Sequence, residues 1–427
     1  MFKFTFRNYK RAGERVLSGI KILHTSNLCL DHVLTDYHKG VRKVKRSELL
    51  ESFDFIIDKS IELSVNALVI AGGIISAASA SHTTLDRVRD GFDRLLQRGI
   101  HVVAVPGDSD ETSDIGIVKS LFSKEGMCLF TDEKWDVYTA IDGVNIYGIR
   151  STLNRRRDNC LKDLRASSDK VNIGLLYGTF CGTPICAEKV SPVSSQDLTQ
   201  SNLDYLALGH YENVVNCSMG RNICWYSGSP AHHGLDTFGE RHVLLVSFKG
   251  KEARVSPVKV PSRLQRVIHM DLNGKDVDQI SHHIERMANP QMCLRLELDG
   301  TWSPTNVQLM KELDDMFSDR FFHFEVCDKT SFAFDEGVLS PKKNEKICKN
   351  RNASAMRKDA AQSLHEMFIG KVRCTDKTAI YDDRDEADTE ETDFADEHLV
   401  RVMASKFGLT ALGEVYEHEN RKALGVS

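Results

Sequence analysis

From residue 20 onward, hydrophobic positions alternate between short apolar runs and runs spaced three to four apart. IKILHTS (20–26) reads as a strand. Leu49, Leu50, Phe53, Ile56, Ile57 and Ile61 then recur at helical spacing, and Ser47 is placed to cap the start of that helix. The apolar run ALVIAGG (67–73), a helical stretch over 84–98 closed by Gly99, and the strand IHVVAVPGD (100–108) follow. This β-α-β-α-β order predicts a sheet with helices on its faces, in which the loops at the C-terminal ends of strands build sites.

The pattern then changes. GMCLF, WDVYTA, VNIYGI, VNIGLLYG, LDYLALGHY, NICWYSGS, HVLLVSF and ARVSPVKV are closely spaced β-type runs, some parted by turn formers such as Asp142-Gly143. One α/β (α+β) domain of two sheets covered by helices, over 20–260 behind a basic extension at 1–19, accommodates all of them. Residues 262–330 give strand, helix (276–287), strand, helix (304–317) and strand, a small α+β cap. Residues 331–427 form a helical and acidic tail. Within it, 342–358 carry seven Lys/Arg against the single acid Glu345, whereas 382–397 carry ten Asp/Glu against the single Arg384. The acidic block reads as a mobile, solvated linker, and the helical stretches near 359–369 and 397–406 as partner-docking elements.

Composition narrows the class. Hydrophobic residues at 41% and charged residues at 27% are those of a chain that folds in water, and a formal net charge of −5 gives no global pull toward nucleic acid or membrane. No apolar run is long enough to span a bilayer, and MFKFTFRNYKRAGERVLSG lacks the apolar stretch of a secretory signal, so a cytoplasmic protein is expected. Eleven cysteines without a CxxC pair argue against a disulfide framework or a zinc ribbon.

The loops after the strands carry the chemistry. HTSNLCLD (24–31), IAGGIIS (70–76), VPGDSD (105–110), LLYGTF (175–180), LALGHYEN (206–213) and YSGSP (226–230) stand in the order and spacing of the calcineurin-like metallophosphoesterase motifs. More narrowly, the chain resembles the SbcD and YhaO group, bacterial relatives of the double-strand-break repair exonuclease. That resemblance implies a two-sheet sandwich with a cap, and a site that clamps a phosphodiester between two divalent metals roughly 4 Å apart.

The same resemblance implies that the ligands are degenerate. The family's first Asp position is Asn27 and its His partner is Cys29. The bridging Asp position is Gly73, the Asn position Asp108, the general-acid His Ser109 and the later lone His Tyr177. The last pair is His210 and Glu212. Only His210 keeps the family's residue type. Gly73 cannot bridge cations, and Ser109 cannot protonate a leaving alkoxide near neutral pH.

The expectation is therefore a non-catalytic SbcD-like DNA repair subunit without a cofactor. It would act as a homodimer and as a scaffold for DNA and an SMC-like coiled-coil ATPase of the SbcC or YhaN type. The alternative is an active metal-dependent phosphoesterase or DNA exonuclease, in which a single Mn or Zn ion is held by members of the set Asn27, Cys29, Asp108, Tyr177, His210 and Glu212. Two further features read blandly. His232-His233 are expected in a surface loop, and Arg155-Arg156-Arg157 on a solvated helix face, with phosphate contact as the alternative.

Overall fold

A computed structural model describes residues 18–330 apart from 112–114, 152–159, 167–168, 182–189, 236, 274, 276 and 302–304. The N-terminal 17 residues, the Arg155–Arg157 cluster, the basic and acidic tail segments and the two docking stretches lie outside the described residues.

The first sheet begins with β1 (Ser18–Thr25), which pairs in parallel with β2 (Ala67–Ala71); β3 (His101–Val105) and β4 (Met127–Leu129) continue the parallel run. Two helices link these strands, α1 (Lys39–Glu62) and α2 (His82–Leu96), followed after β3 by the single turn α3 (Asp108–Glu111) and by α4 (Ile115–Leu121). Every residue of β2 is buried, as a strand covered on both faces must be. Leu49, Phe53, Ile56 and Ile57 form the buried stripe of α1, and Phe53 meets Phe92 of α2 edge-on.

The start of α1 is a correction. The helix begins at Lys39, not at Ser47, whose hydroxyl donates to Glu51 one turn on. His38 occupies the cap position without a capping side-chain bond, so the helix start carries no cap signal to read in the sequence.

The second sheet has the order β5 (Asp136–Tyr138), β6 (Val144–Gly148), β7 (Val171–Tyr177), β8 (Tyr205–Gly209), β10 (Ile223–Tyr226) and β9 (Val215–Asn216), with the short α5 (Ser195–Ser201) between β7 and β8. β6, β7, β8 and β10 run parallel, so their C-terminal ends point the same way. The long antiparallel hairpin β11 (Arg241–Lys249) and β12 (Glu252–Val260) returns to the first sheet beside β1. Between the two sheets lies a core of Ile22, Val69, Val103, Ile146, Ile173, Leu175, Val246 and their neighbours. This two-sheet α/β sandwich with flanking helices is the architecture implied by the sequence.

A third sheet of β13 (Gln265–Asp271), β14 (Asn289–Asp299) and β15 (Phe321–Asp328) is all parallel, its crossovers made by α6 (Val277–Glu285) and α7 (Thr305–Phe317). The chain divides into two compact units. Met1–Gly300 with Glu312–Lys329 holds all three sheets, and Thr301–Lys311 with Thr330–Ser427 contributes the first turns of α7 to the described residues. Within the first unit the third sheet is fastened to α1. Tyr37 donates its hydroxyl to Gln265 at 2.9 Å, and Glu48 bridges Arg263 at 2.6 Å and the 2%-exposed Lys45 at 3.0 Å. Arg263 also lies 3.4 Å over the Phe322 ring, a cation–π contact in partly desolvated surroundings.

Candidate functional site

Loops from the C-terminal ends of both sheets meet at one edge of the sandwich, and backbone fit alone shows how closely. A Cβ built at Gly209, the end of β8, would fall 1.6 Å from the Ala71 carbonyl oxygen at the end of β2. Several residues here hold left-handed backbone, among them Asn27 (φ 50°), Cys29 (φ 41°), Asp31 (φ 62°) and His210 (φ 91°). Each such non-glycine conformation costs about 1–3 kcal/mol and persists only where the surroundings over-determine it.

The structure brings the sequence-identified positions together. The Asn27 N–H donates to Gly72 O and the Cys29 N–H to Gly73 O, both at 2.8 Å, which lays the first loop along the second. Asn27 Nδ2 donates to Tyr211 O at 3.3 Å. Cys29 Sγ stands 3.5 Å from Ser109 Oγ, and burial pushes this thiol up to about 12 despite that bond. Asp108 is exposed, and the Tyr177 hydroxyl donates to it at 3.5 Å. The Tyr177 ring meets His210 edge-on at 5.2 Å, and burial holds its phenol far above the usual tyrosine range. Glu212 offers its carbonyl to Ser229 N–H and to Arg241 Nη1, both at 2.9 Å.

Two residues that organise the site have no counterpart among the candidates read from the sequence. Asp110, fully buried, accepts the N–H groups of Gly73 (2.8 Å), Ile74 (2.9 Å), Ile75 (2.9 Å) and Gly107 (2.8 Å), fastening the second loop to the third. Burial pushes its carboxyl up to about 7, against four backbone bonds that pull it down. Its only signal is a place three residues after Gly107. Buried Arg241 is the other, donating to Glu212 O, Asn213 Oδ1 and Phe238 O.

The histidine pair is a second correction. His232 and His233 are 1% and 7% exposed rather than on a surface loop. His233 Nε2 donates to Leu28 O at 2.9 Å, which leaves Nδ1 to accept from the Ser229 hydroxyl at 3.2 Å. His232 Nδ1 lies 3.1 Å from Thr237 Oγ1. Alternation would send one ring of a strand pair to solvent, but this segment is irregular and finds buried partners for both.

These residues do not fit a two-metal centre. Gly73, which the resemblance sets at the bridging position, has φ 68°, and a Cβ added there would lie 2.8 Å from the Asn27 Cα. Among the described residues, no three His, Cys, Asp or Glu side chains come together in a set that could hold a metal ion. Gly73→Asp is accordingly expected to lower stability by about 2–4 kcal/mol, through left-handed backbone and a clash with main chain that cannot swing aside. Urea unfolding with an unchanged m-value checks this, and an unshifted midpoint would show that the bridging position still has room.

The fold is that of the calcineurin-like metallophosphoesterases. No family model matches the chain. Among curated proteins it is similar to the uncharacterized metallophosphoesterase YhaO of Bacillus subtilis, 22% identical over 305 residues that cover 67% of this chain and 73% of the relative. It is also similar to the DNA double-strand break repair protein Mre11 of Methanosarcina mazei, 20% identical over 306 residues, 66% of this chain but only 45% of that relative's length. Among solved structures, TT1561 of Thermus thermophilus aligns with 56% of this chain and 98% of its own, at 11% identity and a TM-score of 0.36. Over about two thirds of its length the chain is thus similar to metallophosphoesterases of the SbcD/Mre11 type. No helix among the described residues is long and apolar enough to cross a membrane.

Proposed function

We propose that the protein is a catalytically degenerate SbcD-like nuclease subunit, a scaffold that joins DNA to an SMC-like coiled-coil ATPase of the SbcC or YhaN type. It acts as a homodimer in the cytoplasm. Gly73 carries the reading: it has no side chain at the bridging position, and the Asn27 backbone fills the space where one would go. Without a bridging carboxylate, nothing there offsets the mutual repulsion of two cations about 4 Å apart. Ser109 in the general-acid position removes a further contribution of about 10²–10⁴-fold to leaving-group protonation. Similarity to a repair protein whose name states DNA double-strand breaks supports the choice of DNA as the scaffolded partner.

The test is manganese-dependent cleavage of linear duplex DNA by the purified chain, alone and with the ATPase. No cleavage above background is expected in either case, because added metal supplies neither a bridging carboxylate nor a proton donor. Robust cleavage that disappears in His210→Ala would overturn the proposal.

A further inference from the structure

In a dinuclear phosphoesterase the metals also tie together loops from several strands, so binding free energy becomes folding free energy. In this chain those loops are joined to one another directly. Cys29 on the first loop meets Ser109 on the third. Tyr177, at the end of β7, reaches the third loop through Asp108 and the fifth through the His210 ring. Asn27 closes the circuit from the first loop to the fifth through the Tyr211 carbonyl. The polar contacts in this ring span 3.3–3.5 Å, long enough that packing must supply most of the cohesion. Tyr177 provides it. Its buried ring lies so close to the second and third loops that a Cβ at Gly72 or Gly107 would come within 2.3 or 2.8 Å of it.

We propose that this ring of contacts, centred on Tyr177, has taken over the cross-linking duty of the metals, so that the folded state is indifferent to divalent cations. The inference rests on the non-catalytic reading of the same cleft and extends it from chemistry to architecture. Tyr177 is a positioning residue here, since it touches no reacting group.

The experiment compares thermal melting of the full chain in EDTA and in millimolar Mn²⁺, with amide exchange of the cleft loops. The midpoint is expected to agree within about 1 °C in the two media. A cation bound to the folded state alone, at a hundredfold excess over its Kd, would raise it by roughly 5–10 °C. Tyr177→Ala should lower the midpoint by roughly 5–10 °C and speed exchange at the Asn27 and Cys29 amides as well as in β7. Tyr177→Phe, which loses only the long bond to Asp108, should stay within about 1–2 °C of wild type. Should the alanine variant fail to fold, Tyr177→Leu keeps part of the volume and must show the same exchange pattern.

Faster exchange confined to β7 would reduce Tyr177 to an ordinary core residue and overturn the proposal. So would a Mn²⁺-induced rise in the wild-type midpoint that is absent in His210→Ala. That rise without DNA cleavage would leave the scaffold reading standing, whereas cleavage would remove that reading whatever the melting curves show.

Discussion

Asp110→Ala is expected to destabilise the protein by about 4 kcal/mol or more, a large part of the roughly 5–15 kcal/mol that native proteins typically have. One carboxylate satisfies the N–H groups of Gly73, Ile74, Ile75 and Gly107, all at 2.8–2.9 Å and all buried. Removing it strands four buried donors, each costing about 1–3 kcal/mol. Asp110→Asn is expected to cost about half as much. Its amide oxygen still accepts, but its NH₂ group faces donors across a low-dielectric contact. The urea midpoints of the two variants check the order, and a loss below about 1 kcal/mol for the alanine variant would mean that other groups satisfy those amides.

The same residue marks where sequence reading stopped. The alternation of strands and helices, both main sheets and the elements of the small third sheet were legible because apolar runs and helical stripes are local signals, and the glycines after the strands stand where loops need tight backbone. The placement of Asn27, Cys29, Asp108, Ser109, Tyr177, His210 and Glu212 in one cleft followed from those loops. Asp110 escaped because an acid in PGDSDE looks like any surface acid until tertiary folding wraps the second loop around it. Tyr177 read as a weak replacement ligand. Its packing over Gly72 and Gly107 is a contact between residues distant in sequence, which no periodicity records. The buried His232-His233 pair was missed for a related reason: the alternation rule applies to strands, and this loop turns both rings inward.

Those histidines lead to the expectation of steep acid lability between about pH 6.5 and 4. Burial lowers His24 from 6.5 to about 3, His233 to about 4 and His323 to about 4, and drives His232 down as well. Each ring therefore stays neutral in the folded chain at pH values where the unfolded chain has already taken up a proton. The unfolded state then binds more protons, so stability falls as pH drops through 6.5 and keeps falling until the folded-state values are reached. At pH 5 each ring contributes a loss of about 2 kcal/mol, or about 8 kcal/mol for the four. Asp110 works the other way. Its carboxyl, raised from 3.8 to about 7, takes up its proton first in the folded state and returns about 3 kcal/mol over the same interval. The four rings outweigh the single carboxyl, so the balance runs toward lower stability as the pH falls. Urea midpoints at pH 7.5, 6 and 5 should fall monotonically, and His24→Gln should flatten the slope below pH 6.5 whatever its effect at neutral pH. A midpoint that holds constant down to pH 5 would mean that these rings accept protons inside the folded core.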